Sequence, residues 1–446
     1  MTAFQPVLLG SETCAYAMAR AFHSAYGLKS LVYGRMQLSV TKFSSIMEPT
    51  FFADFTEPES FRRHMVEAGR RLTSERPDTT FLLIACGDDY SELLSRYKDE
   101  LKPYFTFVSV DADLHDRLSN KTSFYELCAQ YDLPHPLTFV LDKAGAAAGK
   151  HHDLPFGFPV AVKPANSVEY LHVDFPGRKK AFILHTPEEL AHVVSAIYGA
   201  GYGSELIIQD FIPGSDANMR VLNAYVDHDH HVRMMVLGHV LLADPTPEAI
   251  GNYAAIIPDY NEGFCLKIKS FLESIGYEGV ANFDIKFDPR DGEYKLFEIN
   301  LRQGRTNFFV TLNGFNLAEY FVDDLVLGNP MEGDTVIGRG DSMLLEVPFS
   351  TLKKYAEPGE ALDRGIAQHN AGKSGWTLRY GRDLSFRRRL LLWRLHRLTA
   401  KNYDTYLGKN DCLFGFDGDI YETTIFCGIG RHGHAGHGKL YPVGQP

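Results

Sequence analysis

One stretch constrains the chain more than any other: Gly279 to Asn307, G-V-A-N-F-D-I-K-F-D-P-R-D-G-E-Y-K-L-F-E-I-N-L-R-Q-G-R-T-N. Ala281, Phe283, Ile285 and Phe287 alternate with Asn282, Asp284 and Lys286, which is the period of a strand with two unlike faces. Asp288-Pro289-Arg290-Asp291-Gly292 carries turn chemistry, and alternation resumes through Tyr294, Leu296 and, less strictly, Phe297 and Ile299. The pattern predicts a β-hairpin that brings Asp284 to the same side as Glu298 and Asn300, across strands roughly 5 Å apart. Two carboxylates at that separation repel each other unless a cation lies between them. Oxygen-only ligands of this kind suit Mg²⁺, which takes a few carboxylates together with phosphate and water. Arg302 lies two residues beyond Asn300 and adds a fixed positive charge to that face if the strand continues. A cation and an arginine aimed at one spot would serve a phosphate whose charge is being moved. Taken alone, the same residues also read as an ordinary hairpin with a solvated polar face.

The 446 residues provide for two to four domains. A net charge of −11 argues against a general nucleic-acid binder. The six cysteines, Cys14, Cys86, Cys128, Cys265, Cys412 and Cys427, are scattered with no C-x-x-C pair, so reduced thiols are expected and structural zinc is not. The start M-T-A-F-Q-P-V-L-L-G carries no basic leader, and no apolar run approaches membrane-spanning length. A cytoplasmic protein without an integral membrane segment is expected.

Residues 1–112 read as alternating strands and helices. Strands are expected at Pro6–Leu9, Ser30–Tyr33, Phe81–Ala85 and Phe105–Val108, with a helix from Ala15 to Tyr26. That alternation predicts a parallel sheet covered on both faces, similar to a Rossmann-like domain. Gly10-Ser11-Glu12 is not a dinucleotide fingerprint, although Gly10 and Glu12 follow a strand, where such sheets place substrate clefts; a tight structural turn is the plainer role. A helical segment from Asp113 to Tyr131 follows and carries Lys121. Phe156–Pro164 is a strand with Lys163 at its end, and residues 165–180 form a polar loop with Ser167 and Gly177. A strand at Ala181–Leu184, a helix at 187–200 and a strand at Glu205–Ile212 lead into Pro213-Gly214-Ser215-Asp216. Strands Arg220–Val226 and Val232–Leu242, a helix from Asn261 to Ile275 and a helix from Leu317 to Leu327 flank the hairpin.

The order Lys121, Lys163-Pro164, polar loop, Gln209-Asp210-Phe211-Ile212 with Asp216, Asp284, and Glu298-Ile299-Asn300-Leu301-Arg302 resembles the ATP-grasp superfamily of carboxylate–amine ligases over residues 113–330. The resemblance implies an α/β chain: an N-terminal Rossmann-like α/β domain (1–112), a two-lobed ATP-grasp domain (113–330) and a C-terminal extension (331–446). Lys121 and Lys163 would meet the ATP phosphates, a task suited to a flexible ammonium. Ser167 belongs to the segment resembling the phosphate-covering lid. Gln209, Asp210 and Ile212 fall on the hinge that reads adenine, and Asp216 on the position facing ribose. Asp284, Glu298 and Asn300 correspond to the metal ligands. Arg302 corresponds to the arginine that stabilises the transferred phosphoryl group, with Arg220 a second catalytic candidate. The implied cofactors are ATP and Mg²⁺, with Mn²⁺ as the alternative ion. The implied reaction joins a carboxylate to an amine through an acyl phosphate.

K-P-A-N-S-V-E-Y, F-P-G-R-K-K and E-I-N-L-R-Q-G-R-T-N are most similar to bacterial D-aspartate ligases, which attach D-aspartate to a side-chain amine of a cell-wall peptide precursor. That resemblance makes Arg305 and Asn307 candidates for the amino-acid carboxylate; capping of the strand end is the structural alternative. An L-amino-acid ligase making dipeptides is the alternative activity, and a non-catalytic ATP-binding module the alternative class. Residues 382–407, containing Arg387-Arg388-Arg389-Leu390-Leu391-Leu392-Trp393-Arg394, read as a basic helix. Its plain reading packs the Leu/Trp side on the body; the functional reading is peripheral contact with an anionic precursor or membrane face. Gly430–Gly438 reads as a flexible tail, and neither it nor the His228/His230/His231 tip has rigid metal-ligand spacing. A homodimer is the default expectation.

Overall fold

In a computed structural model of the chain, residues 3–408 are described, apart from 171, 247, 248, 250 and 329–332; the side chains of Ser167 and Val168 also lie outside the description. Cys412, Cys427 and the His-rich stretch Gly430–Gly438 fall outside the described residues.

Val7 and Leu9 pack into one core and Leu8 into another, as a strand buried on both faces requires. The strand is Ala3–Leu9, and with Ser30–Gly34, Met47–Phe51 and Thr79–Ala85 it forms an all-parallel sheet in the order third, second, first, fourth. Strand order reverses beside the first strand. Gly10-Ser11-Glu12 and Cys86-Gly87-Asp88, at the carboxyl ends of the first and fourth strands, therefore flank a topological switch point, where open α/β sheets hold ligands. Gly10 sits at φ +119°, a conformation that side-chain-bearing residues rarely adopt.

One expectation needs correction here. Phe105–Val108 is not a strand: Thr106 alone bridges to Leu82, after which the chain leaves the sheet edge for the helix Ala112–Ser119. The helical segment expected over Asp113–Tyr131 comprises two helices, because Asn120 adopts an extended backbone and its side chain accepts from Ser123 N at 3.1 Å, capping the second helix, Lys121–Gln130.

A small antiparallel sheet follows, in the order Thr138–Leu141, Leu206–Asp210, Val160–Pro164, Phe182–Leu184. Helix Pro187–Gly199 covers it with Leu190, Val194 and Ile197. The main sheet is longer. Its path runs Glu293–Asn300, Gly279–Asp288, Met219–Val226, Val232–Ala243, Tyr253–Asp259, Met343–Leu345, Ser374–Gly375, with Val336–Ile337 paired alongside Val232–Ala243. Helix Glu262–Ser274 packs on one face against Leu222, Ala224 and Ile285. Helices Thr13–Tyr26, Asn307–Leu312 and Leu317–Leu325 pack on the other, against Val221, Val236 and Ile256. Strand Tyr253–Asp259 was not anticipated. The segment beyond 330 supplies three short strands to this sheet; strands of two or three residues show no sequence period.

The basic helix spans Phe386–Tyr406; Leu392 and Leu395 pack on the body as the plain reading expects, but Trp393 and Arg388 depart from it. Arg388, Leu392 and Tyr403 face inward, whereas Trp393 is exposed. Arg388 is fully buried, with Nη1 donating to Val40 O and Lys42 O at 3.1 and 2.9 Å and its guanidinium 4.3 Å from the Tyr16 ring centroid. Its Nε lies 3.2 Å from Asp383 Oδ2. Asp383 in turn accepts from Tyr16 Oη, Ser44 Oγ, Ser45 N and Ser45 Oγ, at 2.9, 2.8, 2.6 and 2.8 Å. This buried pair ties the C-terminal helix to the N-terminal sheet's connections. Among the described residues no helix is long and apolar enough to cross a membrane.

Asp383→Asn leaves Arg388 buried with no counter-charge and is expected to cost about 3–5 kcal/mol. The double replacement Asp383→Asn/Arg388→Met is expected to cost less than the single one. Thermal unfolding followed by calorimetry measures both; an unchanged midpoint in Asp383→Asn would contradict the clamp.

Candidate active site

Gly279–Asp288 lies between two antiparallel partners, and its alternate residues Phe283 and Ile285 are fully buried. The register places Asp284 directly opposite Glu298 and Asn282 opposite Asn300. Directly opposed residues share a face, so the expected grouping of Asp284, Glu298 and Asn300 is what the hairpin forms. Asn300 Nδ2 lies 3.3 Å from Asp284 Oδ2. The register shifts between Asp284 and Ile285, leaving Phe297 as the extra residue of a β-bulge. That extra residue is why the alternation blurs at Phe297 in the sequence.

Burial, and next the facing Glu298, push the Asp284 carboxyl well above the ordinary carboxylate range. Tyr253 Oη donates to Asp284 Oδ1 at 2.8 Å, and Lys121 Nζ reaches Glu298 Oε2 at 3.3 Å. Lys163, at the end of Val160–Pro164, places Nζ 3.3 Å from Tyr125 Oη, which donates to Phe297 O at 2.7 Å. Both lysines thus converge on the carboxylate hairpin. Gln209 shares the Lys163 face of the small sheet, being registered with Ala161. It is fully buried, with Nε2 donating to Thr138 Oγ1 at 2.8 Å and Oε1 without a partner.

Beyond the strand the chain is stitched to the switch point of the N-terminal sheet. Arg302 Nη2 donates to Asp88 Oδ2 at 2.9 Å, Ser91 Oγ donates to Leu301 O at 2.8 Å, and Gln303 Nε2 contacts Cys86 Sγ at 2.8 Å. Arg305 Nη2 lies 3.6 Å from Glu12 Oε2. Both loops of the switch point therefore present a carboxylate to an arginine that follows strand Glu293–Asn300. Arg302 Nε is buried and has no hydrogen-bond partner.

Other candidates are engaged elsewhere. The Arg290 guanidinium holds the Asp210 carboxylate with two hydrogen bonds of 2.9 and 2.6 Å. The Ile212 side chain is buried, and its carbonyl accepts from Lys286 Nζ at 2.7 Å. Asp216 accepts from Ala243 N at 3.1 Å, and burial pushes its carboxyl up to about 6. Arg220 is registered with Ile285, not Asp284, so it points to the opposite face of the sheet. There it pairs with Asp259 at 2.6 Å and donates to Ala217 O and Met219 O. Asn307 is fully buried with Nδ2 3.0 Å from Met18 Sδ, because helix Thr13–Tyr26 covers it. Arg220 and Asn307 are thus not brought to the site. The 165–180 segment is more structured than an open loop. It contains the helix Ser167–Tyr170, Tyr170 and Val173 are buried, and Tyr170 Oη donates to Lys179 O at 2.9 Å; the run from Pro176 to Lys180 is exposed. The side chain of Ser167 lies outside the described residues.

Sequence reasoning passed over Asn223, Asn282, Tyr253 and Asp88. Asn282 Nδ2 donates to Asn223 Oδ1 at 3.0 Å, and Asn300 Nδ2 lies 3.2 Å from Asn282 Oδ1, so an amide ladder backs the carboxylates across three strands. A Cβ at Gly304 would come 2.8 Å from Asn282 Oδ1, so only glycine allows this loop to close over the ladder. Asn282 carried a signal, since it shares the alternation of Asp284.

The residues fit a divalent cation bound together with a nucleotide. Two opposed carboxylates and an amide offer oxygen ligands, and a cation between them offsets the repulsion that burial magnifies. The unpartnered Arg302 Nε supplies a donor for a phosphoryl oxygen. Among the described residues no three His, Cys, Asp or Glu side chains group to hold a metal by themselves.

No protein-family model matches the chain. The D-aspartate ligase of Enterococcus faecium (strain Aus0004) is 50% identical over 407 residues, covering 90% of this chain and 95% of that protein. N5-carboxyaminoimidazole ribonucleotide synthetase from Thermus thermophilus superposes with a TM-score of 0.56 at 16% identity, over 82% of this chain and 98% of its own. The biotin carboxylase domain of Hydrogenobacter thermophilus 2-oxoglutarate carboxylase, crystallised with MgADP, ADP and bicarbonate, gives a TM-score of 0.55 at 13% identity, over 77% of this chain and 74% of that one. These solved structures establish the ATP-grasp fold. Identity of that extent to the Enterococcus protein means that the chain belongs to the D-aspartate ligase family and is an ATP-dependent, ADP-forming carboxylate–amine ligase.

Proposed function

We propose that the chain phosphorylates the β-carboxylate of D-aspartate with ATP and joins the resulting acyl group to a side-chain amine of a cell-wall peptide precursor. The observation that carries this reading is the placement of Arg302 and Arg305 against Asp88 and Glu12 at the switch point, beside the Asp284–Glu298 face. The substrate named for the Enterococcus relative supports the choice of amino acid. We propose residues 1–112 as the unit presenting the switch-point loops, 113–330 as the nucleotide-binding unit and 331–446 as its buttress.

In this reading Lys121 and Lys163 neutralise ATP phosphates, and Gln209 Oε1 accepts from the adenine amine. Asp210, Ile212 and Asp216 shape the hinge through their partners, leaving adenine and ribose to backbone groups. Mg²⁺, or Mn²⁺ with the same oxygen preference, would be held by Asp284, Glu298 and Asn300 and would screen the phosphate charge. Arg302 donates to the phosphoryl group as it passes to the substrate carboxylate. Arg305 exchanges Glu12 for the α-carboxylate of D-aspartate, which its planar fork can take bidentately. Attack of the amine on the acyl phosphate forms the amide and releases phosphate. Positioning and fixed charge supply the acceleration. We place this chemistry in the cytoplasm, with ATP, and take the chain as a homodimer.

Glu298→Gln is expected to keep the fold and lower ATP turnover on the order of a thousandfold; full Mg²⁺-dependent turnover would remove the metal assignment. D-Aspartate with a lysine-containing peptide is expected to stimulate ADP release, and D-asparagine is not. Arg305→Lys is expected to raise the KM for D-aspartate about tenfold or more, with little change in the KM for ATP. A better response to L-alanine would overturn the D-aspartate reading and leave the ligase chemistry in place. Tryptic cleavage at Arg178, Lys179 and Lys180 should slow when MgATP is added; equal rates would argue against a phosphate-covering role for this segment.

A further inference from the structure

We propose that the outward face of helix Phe386–Tyr406 docks on a membrane surface carrying anionic lipid headgroups. Phe386, Leu390, Trp393 and Arg397 fall four, three and four residues apart, one helical face. Phe386 is 83% exposed, Leu390 57% and Trp393 56%, and Leu398 beside them is 53% exposed. A helix of a folded body ordinarily turns such side chains inward. Here the inward positions are taken by Arg388, Leu392 and Tyr403. Arg388 is held by the buried Asp383 and two backbone carbonyls, and Tyr403 Oη donates to Ala243 O at 2.6 Å. Rotating the helix to hide Trp393 would break all of these, so the apolar ridge is locked outward.

Charge complementarity selects the occupant. Arg387, Arg389, Arg394, Arg397 and Lys401 are exposed or half-buried and flank the ridge. No Asp or Glu occurs from Phe386 to Tyr403, in a chain whose net charge is −11. The helix's acid, Asp404, is paired with Lys354 at 2.9 Å. Arg397 lies over the Trp393 ring at 4.6 Å, so the indole and a guanidinium are presented together. Aromatic and leucine side chains inserting at the acyl boundary, with arginines at the phosphates, is the binding mode of an interfacial helix. The proposal is independent of the ligase chemistry, since none of these residues contacts the carboxylate hairpin.

Flotation of the full chain with vesicles tests it. The chain is expected to float with phosphatidylcholine vesicles containing phosphatidylglycerol, not with phosphatidylcholine alone, and to be released by high salt. Arg387→Gln/Arg389→Gln/Arg394→Gln should weaken binding on the order of a hundredfold. Phe386→Ser/Trp393→Ser should abolish it, and both variants should keep wild-type ATP turnover as proof of folding. In a Trp376→Phe background, Trp393 fluorescence should shift to the blue on binding. Absence of flotation, or equal flotation with both vesicle types, overturns the proposal. So does self-association lost in Phe386→Ser/Trp393→Ser without vesicle binding, which would assign the face to a second copy. Binding that appears only when residues 409–446 are removed overturns it as well, since the intact chain would then not present this face.

Discussion

Asp284 and Glu298 face each other, half-buried, across a β-hairpin whose register pairs them directly. Two carboxylates so placed cannot both ionise without positive charge beside them. The neighbourhood is arranged around that requirement. Lys121 at the N-terminus of a helix leans on Glu298, Tyr253 donates to Asp284, and the amides of Asn282 and Asn300 fill the polar gaps. A divalent cation between the two carboxylates would offset their repulsion.

The second organising contact is the one between sheets. Residues 301–305 leave the metal strand and at once meet the carboxyl ends of two parallel strands, through Asp88, Ser91, Cys86 and Glu12. The carboxylate hairpin of one sheet and the switch point of the other are joined by a few residues of chain. A shift of the N-terminal sheet would displace Arg302 directly. The C-terminal helix holds the connections of the same sheet, through Arg388 on Asp383, Val40 and Lys42 and Asp383 on Tyr16.

The hairpin was legible because period-two alternation sorts side chains onto two faces and the turn residues fix the reversal. Asp284, Glu298, Asn300, Lys121 and Lys163 came together as the order of motifs implied. Arg220 misled because both faces of Met219–Val226 are covered, so parity along one strand cannot say which face carries the site. Asn307 misled for a different reason: what buries it is Met18, far away in the chain. Asp210 and Asp216 look like free ligands in sequence, yet Arg290 and the Ala243 amide occupy them. The amide ladder of Asn223 and Asn282 depends on three-strand pairing, which no local pattern encodes. The outward Trp393 contradicts amphipathic reasoning because a buried arginine, not an apolar stripe, fixes the rotation of its helix.

The central claim is that this site transfers phosphate to the β-carboxylate of D-aspartate beside Arg302, with the α-carboxylate held by Arg305. Borohydride quenching of the full chain turning over ATP and D-aspartate without an amine acceptor reads this directly, because reduction of an acyl phosphate leaves an alcohol at the activated carbon. The account predicts homoserine, the product of β-activation, and its loss in Glu298→Gln. Recovery of 3-amino-4-hydroxybutyrate, from α-activation, or of no reduced product while ADP accumulates, would contradict it.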